Sequence, residues 1–171
     1  MPLPFVAPDR ELRLNLCNCM IAIGLSDRGK KKRGLSKDRL HVFLCLIKNP
    51  ILLNRVLKDF AAERVELSTS ELFNLSSTST NFDILFDRNL LKLLLRQLIS
   101  TNHVEALYSP KTFITFVLTE KGEAAISSLD SPYFEKVKSY TRSMAKISGV
   151  LTSNLYRSLE NLLAGSFQNG L

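Results

Sequence analysis

Between His103 and Leu118 the chain changes its rhythm, and no other feature limits the fold as much. His103 to Tyr108 is a short extended run, and Ser109-Pro110-Lys111-Thr112 has the composition of a turn. Phe113-Ile114-Thr115-Phe116-Val117-Leu118 is rich in β-branched and aromatic residues. The stretch predicts one hairpin, while on both sides of it apolar residues recur at helical spacing. The fold class expected is therefore mainly α with a small β-hairpin, an α+β protein.

Local signals fix most of the helices. Leu12, Leu14 and Leu16 alternate as in a strand, but the run that follows to Leu25 suits a buried helix, and the helix is preferred. Ser36 can cap a helix with Asp38 in its first turn and Leu40, Phe43, Leu44 and Ile47 on one face. Val42, Cys45 and Leu46 fill its other sides, so it should be largely buried. At Asn49-Pro50 that helix must stop and a second begin, with Asn49 as cap, Pro50 in the first turn and Leu53, Val56, Leu57 and Phe60 inside. Residues 65 to 82 are rich in Ser and Thr with Leu67, Leu72, Phe73 and Leu75 interspersed, a pattern open to an extended segment, a short helix or a mixture.

Asp87 then caps a helix from Arg88 to Ser100 whose broad apolar face is Leu90, Leu91, Leu94, Leu95 and Leu98. Arg88, Lys92 and Arg96 follow one another on the opposite edge. After the hairpin, Thr119 to Glu123 opens a helix through Ala125, Ile126 and Leu129 that ends at Asp130-Ser131-Pro132. A last helical region carries Val137, Tyr140, Met144, Ile147 and Leu151 at alternating steps of three and four, too short a seam for a coiled coil.

Helix, helix, a longer helix, a hairpin and another helix form the order of a winged helix-turn-helix. Arg88 to Ser100 would take the recognition position and residues 103 to 118 the wing. The expected organisation of residues 1–171 is a single domain. It comprises an N-terminal segment with a basic loop (1–35), a winged-helix core (36–130) and a C-terminal helical extension (131–171). The Leu-rich recognition helix offers chiefly Arg88, Asn89, Lys92, Arg96 and Gln97 to a duplex, which favours phosphate contact over base reading.

Charge points the same way. Of 171 residues, 23 are Lys or Arg and 16 Asp or Glu, a formal charge of +7. Such a balance favours an anionic partner, either nucleic acid or an acidic protein surface. The charge is densest at Lys30-Lys31-Lys32-Arg33, between Gly29 and Gly34. These adjacent cations repel one another and gain most by releasing counterions on a phosphate backbone. The candidate contacts to double-stranded DNA, largely independent of sequence, are Lys30, Lys31, Lys32, Arg33, Arg88, Lys92 and Arg96. The structural reading of the last three is a solvated face opposite the core. Val137, Tyr140, Met144, Ile147 and Leu151 are the candidate partner interface, with packing on the chain's own core as the competing reading.

Several classes drop out. The three cysteines are an odd number, and Cys17 and Cys19 stand too close to bridge each other, which favours a reducing, cytoplasmic setting. Met1 to Pro8 carries three prolines and no unbroken apolar stretch, unlike a signal peptide, and no apolar run approaches the ~20 residues of a membrane span. The two histidines, His41 and His103, sit near no nucleophile motif, and no phosphate-cradling glycine loop occurs. His41, Cys45, Cys17 and Cys19 could be assembled into a metal set, but Cys-x-Cys departs from finger spacing and buried thiols explain them better. Asp83 and Asp87 flank an apolar triplet, and capping accounts for Asp87. The expectation is a protein that is not an enzyme and uses no cofactor or metal.

The segments Leu-Ser-Lys-Asp-Arg-Leu-His-Val-Phe-Leu-Cys-Leu-Ile-Lys-Asn-Pro (35–50), Asn-Phe-Asp-Ile-Leu-Phe-Asp (81–87), Leu-Thr-Glu-Lys-Gly (118–122) and Leu-Asp-Ser-Pro-Tyr-Phe (129–134) together resemble the middle subunit of ABC three-component systems. Lamassu-type bacterial defence operons contain such a subunit. The resemblance covers about residues 10 to 165 and implies a small winged-helix protein without catalytic residues. That protein would be bound to an SMC-like or Rad50-like ABC ATPase and to an effector such as a nuclease. The alternative from the residues alone is a stand-alone winged-helix DNA-binding transcription regulator, dimeric through its C-terminal helices.

Overall fold

In the computed structural model the described residues are 11–26, 34–61, 63–69, 87–109 and 113–168. They form seven α-helices, a 3-10 turn and a three-stranded antiparallel sheet. The helices are α1 (Leu12–Ser26), α2 (Lys37–Lys48), α3 (Pro50–Ala61), α4 (Arg88–Ser100), α5 (Glu120–Ser127), α6 (Pro132–Met144) and α7 (Thr152–Gln168). The strands are β1 (Leu35–Ser36), β2 (Val104–Ser109) and β3 (Phe113–Leu118), in the order β1-β3-β2. The α+β class and the hairpin are as expected.

α1 occupies the centre. Cys19, Met20, Ile21, Ala22 and Ile23 are buried in succession, which a helix permits only when it is surrounded on all sides. α2, α4, α5, α6 and β3 all pack on it. The ambiguous alternation at Leu12, Leu14 and Leu16 thus resolves as helix, because burial all around suits a helix whose backbone bonds are internal.

The caps read from sequence are in place. Ser36 Oγ accepts the Arg39 N–H, and Asn49 Oδ1 accepts the Leu52 N–H at 3.1 Å. Thr119 Oγ1 accepts from Gly122 and Ser131 Oγ from Phe134. At Asn49 the chain bends by 119° between α2 and α3, whose apolar side chains both enter the core. No single helix among the described residues is long and apolar enough to cross a membrane.

Two-residue β1 is a feature that periodicity could not show. Leu35 and Ser36 pair with Phe116 and Thr115, so the segment leading into α2 completes the sheet. Gly34, just before it, has φ of +68° and lies against the Phe116 carbonyl, a conformation and a space that favour glycine. Residues 63–68 run extended beside α3, where the Asn54 amide bonds both the N–H and the carbonyl of Val65. Part of the undecided 65–82 stretch is thus extended, and the remainder lies outside the described residues.

The C-terminal region departs from expectation. One continuous helical seam was predicted, but α6 ends at Met144, Ala145–Ile147 forms a 3-10 turn and α7 starts afresh at Thr152. Gly149 sits in the break. Val137, Tyr140, Met144, Ile147, Leu155 and Leu159 join the same apolar cluster as α1 to α4.

Candidate interaction surface

α4 is anchored at its start by Asp87, whose Oδ1 accepts the N–H groups of Asn89 and Leu90, each at 2.9 Å. This N-cap satisfies donors that would otherwise lack helical partners and places negative charge at the positive helix end. Leu91, Leu94, Leu95 and Leu98 are buried along one half of the helix. The other half faces solvent with Arg88, Lys92 and Arg96, so the predicted cationic stripe is exposed.

The three cations differ in their surroundings. Arg88 hydrogen-bonds the Tyr156 hydroxyl of α7. That hydroxyl also meets His41 Nδ1 at 2.9 Å and donates to the Asp38 carbonyl at 3.3 Å. Burial, with the Asp38 charge, holds the Tyr156 phenol above its ordinary range, while Arg88 pulls in the opposite direction. Arg88 is therefore tied into a polar cluster that joins α2, α4 and α7. Lys92 and Arg96 lie further along the outward face.

That same face carries apolar side chains. Leu93 is 50% exposed and Ile99 42%. On the hairpin, Tyr108 and Ile114 are cross-strand partners and both exposed, Tyr108 at 77%. Their neighbours in the same pleat, Val104, Phe116 and Leu118, are buried, so the core-facing side of the hairpin continues past the body of the protein.

The remaining predicted positions divide in two. Lys30, Lys31, Lys32 and Arg33 lie outside the described residues. Of the predicted partner seam, Val137, Tyr140, Met144 and Ile147 are buried in the chain's own core and offer no surface, while Leu151 is 66% exposed. The physical reason is the break after Met144, which folds the seam's residues inward and carries Leu151 out on the linker.

That linker is held by Arg39. Its guanidinium donates to the carbonyls of Ser148 and Val150, and Nε donates to Thr152 Oγ1 at 3.3 Å. One half-buried cation thus ties the carbonyls of the break and the first residue of α7 to α2. Replacing Arg39 by Met, which keeps much of the stem but none of the donors, is expected to lower stability by about 2 kcal/mol. Urea unfolding followed by circular dichroism measures this, and an unchanged midpoint would show the clamp to be ornamental.

Possible reactive groups are engaged elsewhere. Burial pushes the thiols of Cys19 and Cys45 up to about 12, so both are protonated at neutral pH. His103 Nδ1 lies 2.8 Å from Thr101 Oγ1, yet that hydroxyl also donates to the Gln97 carbonyl at the end of α4. Burial and nearby Lys121 hold His103 below its ordinary value. No cluster of three or more His, Cys, Asp or Glu side chains suited to a metal occurs among the described residues. An open groove of about 520 Å³ runs between α3 and α7, bordered by Asp59, Phe60, Asn154, Arg157, Ser158 and Leu162.

Sequence reasoning named the cations of α4 and passed over the apolar residues among them. The signal was present: Leu93 and Ile99 fall outside the helical set formed by Leu91, Leu94, Leu95 and Leu98. The Arg39 clamp and the Tyr156 cluster join residues more than a hundred positions apart and left no local trace.

These features define a small α+β helical protein whose mixed basic and apolar helix face is open to solvent. The family described as ABC-three component (ABC-3C) system Middle Component 4 matches residues 24–157, from within α1 to within α7. The chain belongs to that family and is a component of ABC three-component systems. No curated protein and no solved structure matches it.

Proposed function

We propose that the chain is a cytoplasmic, non-catalytic accessory subunit of a bacterial defence complex of the Lamassu type. In this role it docks on an SMC-like ABC ATPase, bridges it to an effector nuclease and helps hold that effector inactive. The observation that carries the reading is the family match across the middle of the chain. It is supported by the engagement of buried thiols and histidines in packing and caps, which leaves binding as the chemistry on offer.

The winged-helix reading of residues 36–130 belongs to the same proposal. α4 leads directly into the β2–β3 hairpin, and the strand order β1-β3-β2 brings the segment before α2 alongside the hairpin's second strand. Double-stranded DNA would be met chiefly through Lys30 to Arg33, whose charge density suits a phosphate backbone. Changing these four residues to Glu is expected to lower affinity for a random-sequence duplex and to flatten its salt dependence, leaving the unfolding midpoint unchanged. Binding equal to wild type in a salt titration would remove the loop from the DNA path.

Co-expression with the neighbouring ATPase and effector genes tests the central claim. Stable co-purification is expected, and a subunit that elutes alone would refute it. The helix–hairpin succession also favours a second reading, a stand-alone transcription regulator. That protein should prefer an operator over random DNA by ~1000-fold, whereas the accessory subunit should show little preference.

A further inference from the structure

We propose that the outer face of α4 docks an acidic amphipathic helix of a companion subunit. The inference rests on the accessory-subunit reading above and assigns that reading a surface and a partner chemistry. α4 is 13 residues long, which makes it about 20 Å from end to end. At about 100° per residue, Ile99, Lys92, Arg96 and Leu93 succeed one another across an arc of about 120°. Two cations thus run along the middle of the exposed face with an apolar side chain on each flank. Both flanking side chains are about half exposed.

Charge complementarity selects the occupant. α4 carries no carboxylate of its own, and the adjacent Asp87 is turned onto the backbone N–H groups of Asn89 and Leu90. Arg88, held by Tyr156, leaves Lys92 and Arg96 as the outward charges. Two cations on a duplex would release few counterions, giving a salt slope of only about −1.8, and Leu93 and Ile99 would gain nothing against phosphates. A helix with acidic residues flanked by apolar ones uses all four positions: its carboxylates pair with Lys92 and Arg96, and its apolar side chains cover Leu93 and Ile99. Steering by the charges would set the rate of encounter, and the apolar flanks would set the lifetime.

The experiment uses the full chain, tagged and co-expressed with the ABC ATPase and the effector encoded beside it, together with a random-sequence DNA duplex as a second probe. One variant carries Leu93→Gln and Ile99→Gln; the other carries Lys92→Glu and Arg96→Glu. Each pair is expected to reduce retention of a companion subunit by at least about tenfold while the far-UV spectrum and unfolding midpoint stay as in wild type. The loss in the Gln pair should persist at high salt. Should either double variant fail to fold, its single substitutions, each at an exposed position, carry the same comparison.

If wild type retains its companions and both variants retain them equally, the docking face is refuted while the accessory role stands. If wild type retains none, the accessory role fails and takes this inference with it. If the Glu pair abolishes duplex binding while the Gln pair leaves duplex and companions unaffected, the face belongs to DNA and the proposal is overturned.

Discussion

Ile147→Asp is expected to abolish cooperative folding at physiological temperature, whereas Leu151→Asp, four residues on, should be within ~0.5 kcal/mol of wild type. The contrast follows from position. Ile147 is fully buried among the side chains of the core, in the 3-10 turn that closes α6. A carboxylate there must either stay charged without a partner or take up a proton at neutral pH, and it also loses the apolar contacts of the isoleucine. Together these effects exceed ~4 kcal/mol, a large share of the ~5–15 kcal/mol that holds a typical domain together. Leu151 stands on the linker before α7 and exchanges one exposed side chain for another. Urea denaturation of both variants, followed by circular dichroism, decides the matter. Two equally stable proteins would mean that the residues from Val137 to Leu151 form a partner seam and not a core.

That outcome bears on what a sequence can disclose. Caps are local devices in which the side chain and the N–H it satisfies are two or three residues apart, so Ser36, Asn49, Asp87, Thr119 and Ser131 were legible from composition and spacing. The hairpin was legible for the same reason, since its period, its turn residues and its register all lie within one short stretch. β1 was not, because two residues carry no period and gain their identity only by pairing with Thr115 and Phe116. The 3-4 spacing of Val137, Tyr140, Met144, Ile147 and Leu151 was real, but spacing states which residues share a face and not whether the helix persists. The Arg39 bonds to Ser148 and Val150 help fix the break, and no local rule anticipates them. For the candidate surface, the cations of α4 could be read directly. The apolar residues between them acquire meaning only once Leu91, Leu94, Leu95 and Leu98 are known to fill the core side.

The assignment of those two sides has its own test. Leu94→Ala should destabilise the protein by ~2–5 kcal/mol, while Leu93→Ala, its immediate neighbour, should change stability by less than ~0.5 kcal/mol. Leu94 is almost fully buried against the core, so its truncation leaves a cavity that the surrounding helices can close only in part. Leu93 is half in water, and truncation removes little that folding had buried. Helix propensity cannot blur the comparison, because both substitutions make the same exchange within one helix. Binding should invert the order: Leu93→Ala weakens capture of an acidic companion helix, and Leu94→Ala, measured where it remains folded, leaves it intact. A protein in which the same leucine governed both stability and capture would have α4 turned the other way round. Its cations would then not stand beside an open apolar surface, and the case for a helical partner at this face would be lost.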